Sequence, residues 1–214
     1  MTIITNDGIQ AETWSGEFGD DYVERNISID VVDKDYFQLT GLKYNDIFSD
    51  FFQELDRDLS ILEVGCNVGN NLSILRSLGF TNLQGLDVNS KAIGIASSRY
   101  PDISFHNSSI QSCKLPSKNF DLVYTAGVLV HIHPDTLTDV IKKILSLSKQ
   151  YVFGFESFSE SPSDVFYRNS NNLYWKQNFP ELFKNISPNI TQIKEKKIPY
   201  QNSNLSDICY LFKQ

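Results

Sequence analysis

Cysteines are few in this sequence, and their number is odd. The 214 residues contain only Cys66, Cys113 and Cys209, without a CxxC spacing. Such a set favours neither a disulfide framework nor a zinc site, so we expect no metal and a reducing, cytoplasmic location. The sequence also lacks a basic leader segment and any apolar run near the ~20 residues that a membrane span needs.

Basic residues are also scarce. Lysine and arginine number 19 against 26 aspartates and glutamates, which gives a formal net charge of -7. An acidic balance disfavours partners that are bound through many phosphates, so we expect neither nucleic acid nor a membrane as a partner. A small-molecule substrate fits better, and the oligomeric state is left open. The length and the 41% hydrophobic content are typical of one globular domain.

Short apolar segments alternate with amphipathic ones from residue 60 onward. Strands are predicted at 60–64, 83–87, 103–106, 120–125 and 151–155, and helices at 36–56, 70–78 and 134–148. Residues 12–26 show neither a helical nor a strand period, and residues 156–180 are irregular. A closing hairpin is predicted from residues 190–199 and 207–212. Alternating strands and helices indicate a parallel sheet, with the ligand at the carboxyl ends of its strands.

A glycine-containing turn follows the first predicted strand, in Leu62-Glu-Val-Gly-Cys-Asn-Val-Gly-Asn70. Gly65 and Gly69 permit a tight turn, and the helix after it presents free N–H groups to a nucleotide-like cofactor. A dinucleotide-binding loop would have glycine where Asn67 and Asn70 stand, and a Walker A lysine is missing. A nicotinamide oxidoreductase is therefore disfavoured.

Asp87 ends the second predicted strand, 22 residues after Gly65 (87 minus 65). An acidic side chain at this place can accept both hydroxyls of a ribose, so adenosine without a pyrophosphate is the favoured ligand. The alternative is that the glycines only shape a turn and that Asp87 only caps the helix starting near Ser90. The combined spacing and element order favour the cofactor.

These motifs, with Phe120-Asp-Leu-Val-Tyr-Thr125, resemble those of class I S-adenosylmethionine-dependent methyltransferases. The resemblance covers about residues 60–155. It implies an α/β, Rossmann-like fold, a seven-stranded mostly parallel sheet with helices on both faces and an antiparallel last strand. It also implies S-adenosylmethionine as the cofactor and S-adenosylhomocysteine as the product.

The resemblance assigns cofactor contacts position by position. Glu63 and Gly65 would lie near the methionine portion, with Asn67, Gly69 and Asn70 in the same turn. Asp87 would hold the ribose, and Val88, Ser109 and Ile110 would flank the adenine, with Thr125 and Leu129 below the sulfonium. Two departures stand out: Asn67 replaces a commoner small residue, and 107–113 lacks the acidic residue frequent after the third strand.

A narrower resemblance lies outside this core. Residues 14–26, Gly127-Val-Leu-Val-His-Ile-His-Pro134 and Phe166-Tyr-Arg-Asn169 resemble the methylases associated with pseudaminic acid biosynthesis. With the closing strand at 207–212, this resemblance spans nearly the whole chain. It implies a nonulosonic acid sugar, or its nucleotide-linked form, as the acceptor.

The N-terminal residues of this signature also have a chemical rationale. The cofactor carries a carboxylate, and Arg25 with the Tyr22 hydroxyl can supply charge-assisted hydrogen bonds to it, while Trp14 packs over the pocket. The alternative is that one surface arginine and two aromatic residues only anchor an N-terminal cap.

Four further side chains are candidates for acceptor chemistry. His131 follows the fourth strand and is a candidate base, although a structural role for His131 and His133 is the alternative. Glu156 is a second candidate base, unless it pairs with Arg168 or caps a turn. Tyr167 and Arg168 are candidate ligands of an acidic sugar, and a structural role is again the alternative.

Together these observations predict one methyltransferase domain over 1–214. Its expected parts are cap helices at 1–56, a cofactor-binding core at 57–155, a lid-like insertion at 156–185 and closing strands at 186–214. The expected reaction is in-line methyl transfer to an oxygen or nitrogen atom. Another small metabolite or RNA as the acceptor, or a non-catalytic cofactor-binding module, are the alternatives.

Overall fold

The apolar strands form a seven-stranded sheet in the computed structural model, which describes residues 6–214. In chain order its strands are β1 Ile61–Val64, β2 Leu83–Asp87, β3 Ser104–Asn107, β4 Phe120–Ala126, β5 Ser148–Ser157, β8 Thr191–Pro199 and β9 Ser206–Lys213. Two short strands, β6 Ser163–Asp164 and β7 Trp175–Lys176, pair with each other outside this sheet.

The strand order is β3-β2-β1-β4-β5-β9-β8. Strands β1 to β5 are parallel, and β9 runs antiparallel to both β5 and β8. The predicted parallel sheet, its antiparallel last strand and the closing hairpin are therefore all present. Val64 pairs with Leu86 on one side and Thr125 on the other, so the turns after β1, β2 and β4 open at one edge.

Helices cover both faces of the sheet. They are α1 Asn6–Ser15, α2 Glu17–Arg25, α3 Ile29–Thr40, α4 Tyr44–Phe52, α5 Asn70–Ser77, α6 Ser90–Arg99, α7 Pro134–Leu147 and α8 Phe179–Ile186. Val123 faces the core under α7 and α8, whereas its neighbours Leu122 and Tyr124 face the core under α4 and α5. None of these described helices is long and apolar enough to cross a membrane.

Three sequence-based predictions of elements need correction. The predicted helix at 36–56 is two helices, because Gly41 adopts a left-handed φ of 77° and ends α3. Residues 12–26 lie mostly in α1 and α2, and α2 is amphipathic, with Gly19 and Val23 buried, a pattern that the sequence analysis missed. The predicted insertion ends earlier than residue 185, because α8 begins at Phe179 with the Asn178 side chain as its cap.

Gly154 offers a test of the packing between β5 and β9. It pairs directly with Tyr210, and a Cβ atom on Gly154 would overlap the Tyr210 ring. We expect Gly154→Ala to lower the free energy of unfolding by about 1–3 kcal/mol in urea denaturation, because overpacking displaces a fully buried ring. Gly94→Ala in α6 is the control, since its Cβ would meet nothing within 4 Å. Equal stability of Gly154→Ala and the parent would contradict this packing.

Candidate functional site

A cavity of about 210 Å³ opens where the strand ends meet the N-terminal helices. Its floor comes from the turns after β1, β2, β3 and β4, and its roof from α1 and α2. Ten of the predicted site residues line it: Trp14, Tyr22, Gly65, Asn67, Asn70, Asp87, Val88, Ser109, Ile110 and His131.

The turn after β1 has the backbone shape that its glycines predict. Gly65, Asn67 and Gly69 all have a positive φ, at 73°, 47° and 79°. A Cβ atom on Gly65 would also overlap the side chain of Val128, in the turn after β4. Glycine is thus required at position 65 both for its conformation and for the close approach of the two turns.

Asp87 is at the centre of the floor. Its Oδ2 accepts a hydrogen bond from the Asn67 backbone N–H at 2.8 Å, and its Oδ1 accepts one from Asn89 at 2.8 Å. Burial raises the pKa of this carboxyl, and the backbone N–H groups oppose that change. Each oxygen keeps a lone pair for a further donor, as ribose hydroxyls require.

Eight buried side-chain polar atoms have no hydrogen-bond partner among the described residues, and four of them lie at or beside the cavity roof and floor: three belong to lining residues and one to Arg25, which packs under Tyr22. Two are donors, Trp14 Nε1 and Arg25 Nε, and two are acceptors, Asn67 Oδ1 and Asn70 Oδ1. Unpaired buried polar atoms are rare, because leaving one unbonded is unfavourable. Donors and acceptors together match a ligand with both a carboxylate and an ammonium group. The site therefore fits the amino-acid portion of S-adenosylmethionine.

Asparagine side chains bond the helices of the cavity roof to the turns of its floor. Asn89 donates from Nδ2 to the Trp14 carbonyl at 3.1 Å and to Asp20 Oδ1 at 2.9 Å. Asn70 donates from Nδ2 to the Asn26 carbonyl at 2.8 Å. These bonds leave Asn70 Oδ1 as its unpaired end. Asn26 and Asn89 could not be identified from the sequence, because their hydrogen-bond partners are 44 and 69–75 residues away.

His131 forms the wall beside the roof. Its Nδ1 lies 2.7 Å from the Leu173 carbonyl oxygen. A carbonyl can only accept, so Nδ1 carries the proton and Nε2 keeps its lone pair. Burial lowers the pKa of His131 to about 4, which keeps the ring neutral. Rings of Trp14, Tyr167 and Tyr174 pack around it, with centroids at 4.5, 5.4 and 5.2 Å.

Glu156 does not line the cavity, which corrects its prediction as a base. Its Oε1 accepts from the Val128 backbone N–H at 3.2 Å and its Oε2 from Val130 at 3.4 Å. Burial raises the pKa of Glu156 to about 7. The carboxyl therefore caps the turn that leads to His131, as the alternative reading of the sequence allowed.

Seven other predicted residues also lie outside the cavity wall. Glu63, Gly69, Thr125 and Leu129 pack behind it, and Arg25 lies under Tyr22, 5.9 Å from the ring centroid to the guanidinium carbon. Arg168 is exposed and donates from Nε to the Tyr167 hydroxyl at 3.3 Å, while Tyr167 packs against His131. The predicted sugar ligands Tyr167 and Arg168 thus support the wall from outside.

Gln10, Tyr44 and Asn71 are among the lining residues that the sequence analysis missed. Tyr44 is in the first turn of α4, with its N–H bonded to Asp33 Oδ1 at 2.8 Å. Its ring packs on Phe155 at 5.0 Å, and burial holds its pKa well above the usual range. Asn71 bonds to Glu63 Oε1 at 2.8 Å. Residues 6–214 contain no cluster of three potential metal ligands.

Comparisons with known proteins agree with this geometry. Residues 61–150 match the family model described as a methyltransferase domain. The comparison with curated proteins gives no match.

Solved structures have similar folds at low identity. The 1,6-didemethyltoxoflavin-N1-methyltransferase of Burkholderia thailandensis is 17% identical, with a TM-score of 0.63 over 93% of this chain and 90% of that one. The magnesium protoporphyrin IX methyltransferase of Synechocystis is 14% identical, with a TM-score of 0.69 over 100% and 99%. The [4+2]-cyclase SpnF is 13% identical, with a TM-score of 0.64 over 79% and 80%.

These matches confirm the predicted class I methyltransferase fold. Residues 61–150 match the model of a methyltransferase domain, which agrees with the predicted enzyme class and cofactor. The two methyltransferase structures were solved with S-adenosylhomocysteine or S-adenosylmethionine bound. None of these three structures is described with a nonulosonic sugar.

Arg25 tests the proposed carboxylate contact. We expect Arg25→Ala to weaken S-adenosylhomocysteine binding about tenfold in calorimetry, because a charge-assisted hydrogen bond to the carboxylate is lost. Arg76→Ala is the control, since Arg76 pairs with Asp102 at 2.8 Å on the surface of α5. Equal affinity for Arg25→Ala and the parent would exclude the contact.

Glu63 tests the electrostatics behind the cavity. Burial raises the pKa of this carboxyl from 4.5 to about 8, so the folded protein keeps a proton that the unfolded chain releases. Between these values the free energy of unfolding must fall as pH rises. We expect Glu63→Gln, which is neutral at every pH, to flatten this decline in urea denaturations from pH 5 to 8. Glu54→Gln, at an exposed position, should leave the slope unchanged.

Proposed function

We propose that this protein transfers the methyl group of S-adenosylmethionine to an oxygen or nitrogen atom of a small-molecule acceptor. The observation that carries the proposal is His131, a neutral imidazole with a free Nε2 in the wall of a cavity suited to the cofactor. The cofactor supplies an activated methyl group. The residues of the chain then have to bind and align the cofactor and the acceptor, exclude water and remove one proton from the acceptor.

Cofactor binding uses groups on both sides of the cavity. Asp87 would accept the ribose hydroxyls, and Val88 with Ile110 would flank the adenine. Arg25, Tyr22 and Trp14 would hold the carboxylate, whereas Asn67 Oδ1 and Asn70 Oδ1 are acceptors for the ammonium group. Glu63 would act through Asn71, to which it is bonded. Burial raises the pKa of Tyr22 to about 12, so its hydroxyl remains a donor.

Removal of the acceptor proton is the proposed role of His131. As the new bond to carbon forms and the bond from carbon to sulfur breaks, the O–H or N–H proton passes to Nε2. Because the positive charge of the sulfonium disappears in the same step, the protonated imidazole leaves the net charge of the pocket unchanged. The low pKa of His131 keeps Nε2 free beforehand.

A sugar of the nonulosonic type, free or nucleotide-linked, is the acceptor we propose first. It is supported by the sequence resemblance over residues 14–26 and by hydroxyl-bonding groups in the wall, such as Tyr44. Asp87 is the only charged residue that lines the cavity among the described residues, so the acceptor carboxylate would lie outside, toward Arg168. Another small metabolite is the second candidate, because the methyltransferases of similar fold act on a toxoflavin precursor and a porphyrin.

RNA as the acceptor and a non-catalytic module are less favoured. The net charge of -7 argues against an RNA substrate. The cyclase among the similar structures illustrates that this fold also supports other chemistry, so catalysis rests on the site and not on the fold.

A labelling experiment tests the proposal. The protein is incubated with methyl-labelled cofactor and either a nonulosonic acid pool, including nucleotide-activated forms, or a general metabolite extract. Label in the first pool supports the sugar, and label only in the second replaces it with another metabolite. Cofactor binding without any labelled product would favour the non-catalytic module.

His131→Gln should lower kcat by about 100-fold on the labelled acceptor, because a general base contributes roughly 10²–10⁴. The control is His106→Gln, since His106 lies on the edge strand β3 and contacts Gln84 at 2.9 Å. Unchanged kcat in His131→Gln would mean that the acceptor reacts without this base.

A further inference from the structure

Gln10 joins three distant segments of the chain in the cavity wall. It belongs to α1 and is 6% exposed. Its Nε2 donates to the Asn172 carbonyl at 3.2 Å, and its Oε1 accepts from the His133 backbone N–H at 2.7 Å. Both ends of one buried amide are therefore used, one on the insertion and one on the segment that carries His131.

Leu173, the residue after Asn172, has the carbonyl that bonds to the His131 imidazole. Leu173 accepts the Nδ1 proton of His131, and His131 is two residues before His133. Gln10 thus holds Asn172 of the insertion and His133 of the cavity wall. Their near neighbours Leu173 and His131 form the hydrogen bond to the imidazole. Asn172 is adjacent to Leu173, and His133 is two residues after His131. The bonds of Gln10 therefore restrict movement of the Leu173 carbonyl relative to the His131 ring.

We propose that Gln10 is a positioning residue, which holds the Leu173 carbonyl against His131 so that Nδ1 carries the proton and Nε2 faces the cavity as the base. The catalytic consequence rests on the proposed function. The tautomer itself does not, because it is a property of the protein without substrate. In a neutral histidine, the hydrogen bond of one ring nitrogen decides where the proton lies.

Few titratable groups share the surroundings of the imidazole. Tyr167 and Tyr174 face it from the insertion, and Trp14 packs on it from α1. Glu156 lies below the same turn, where it accepts from Val130. The pKa of His131 is lowered to about 4 by burial, against a small opposing effect of Leu173. Opening of the insertion would remove both the burial and the acceptor on Nδ1.

Nuclear magnetic resonance of the full-length protein with 15N-labelled histidine tests this directly. The ring nitrogen shifts report the tautomer and the pKa of each histidine, and His131→Gln assigns the His131 signals. In the parent protein we expect the Nδ1–H tautomer for His131 and no protonation until about pH 4. An Nε2–H tautomer in the parent would overturn the proposal without any variant of Gln10.

Two substitutions separate the ends of the amide. Gln10→Met removes both hydrogen bonds at similar volume, whereas Gln10→Glu keeps an acceptor for the His133 N–H and places a second oxygen against the Asn172 carbonyl. We expect both variants to lose the Nδ1–H preference and to raise the pKa of His131 from about 4 toward 6.5. Gln53→Met, at an exposed position, is the control.

A parental His131 tautomer and pKa in Gln10→Met, in a protein whose unfolding transition is intact, would overturn the role of Gln10. The parental result in Gln10→Glu alone would overturn the part assigned to Asn172. Once an acceptor has been identified, both variants should lower kcat about tenfold or more. The affinity for S-adenosylhomocysteine should change by a smaller factor than kcat. Failure of every acceptor would count against the proposed function, and the tautomer result would still decide the proposal.

Discussion

The site depends on the contact between Gly65 and Val128, which brings the turns after β1 and β4 together. Only glycine permits the approach, because a Cβ atom at position 65 would occupy the space of the Val128 side chain. Glu156 fixes the opposite side of this contact by accepting the Val128 and Val130 N–H groups. The chain then continues directly into the turn of 3-10 helix Leu129–His131, so the position of the imidazole follows from this contact.

Two carboxyls, Asp87 and Glu156, organise the backbone of the turns at the edge of the sheet. Asp87 accepts N–H groups from the turns after β1 and β2, and Glu156 accepts two N–H groups from the single turn after β4. Both occupy the carboxyl ends of parallel strands, where loops are irregular and their N–H groups lack partners within a helix or sheet. The elevated pKa values follow from that placement, since the carboxyls are removed from water without a cation bonded to them.

The central sheet could be predicted from the sequence because its signals are local. Apolar runs bounded by Gly65, Asp87 and Pro134 mark strands and helix starts within a few residues. The helices α1 and α2 were missed because they are short and are fixed by contacts far along the chain, such as those of Asn89 with Trp14 and Asp20. The break at Gly41 was missed because apolar residues continue on both sides of it.

The same distinction applies to the site. The turn after β1 and Asp87 at the end of β2 were predicted as cofactor ligands, and both line the cavity. Gln10 and Tyr44 were missed because their roles arise only when segments far apart in the chain meet. Glu156 was assigned as a base from its position at a strand end, yet position alone does not say whether a carboxyl faces the cavity or the backbone beneath it.

The roof over the cavity has a consequence for the rate of turnover. Helices α1 and α2 are joined to the floor by a few asparagine hydrogen bonds, from Asn70 and Asn89, together with the amide of Gln10. Release of a ligand beneath them becomes slower if it requires some of these bonds to break. Exchange of spent cofactor for fresh cofactor would then compete with the chemical step as the limit on turnover, as it does in many enzymes that enclose their ligands.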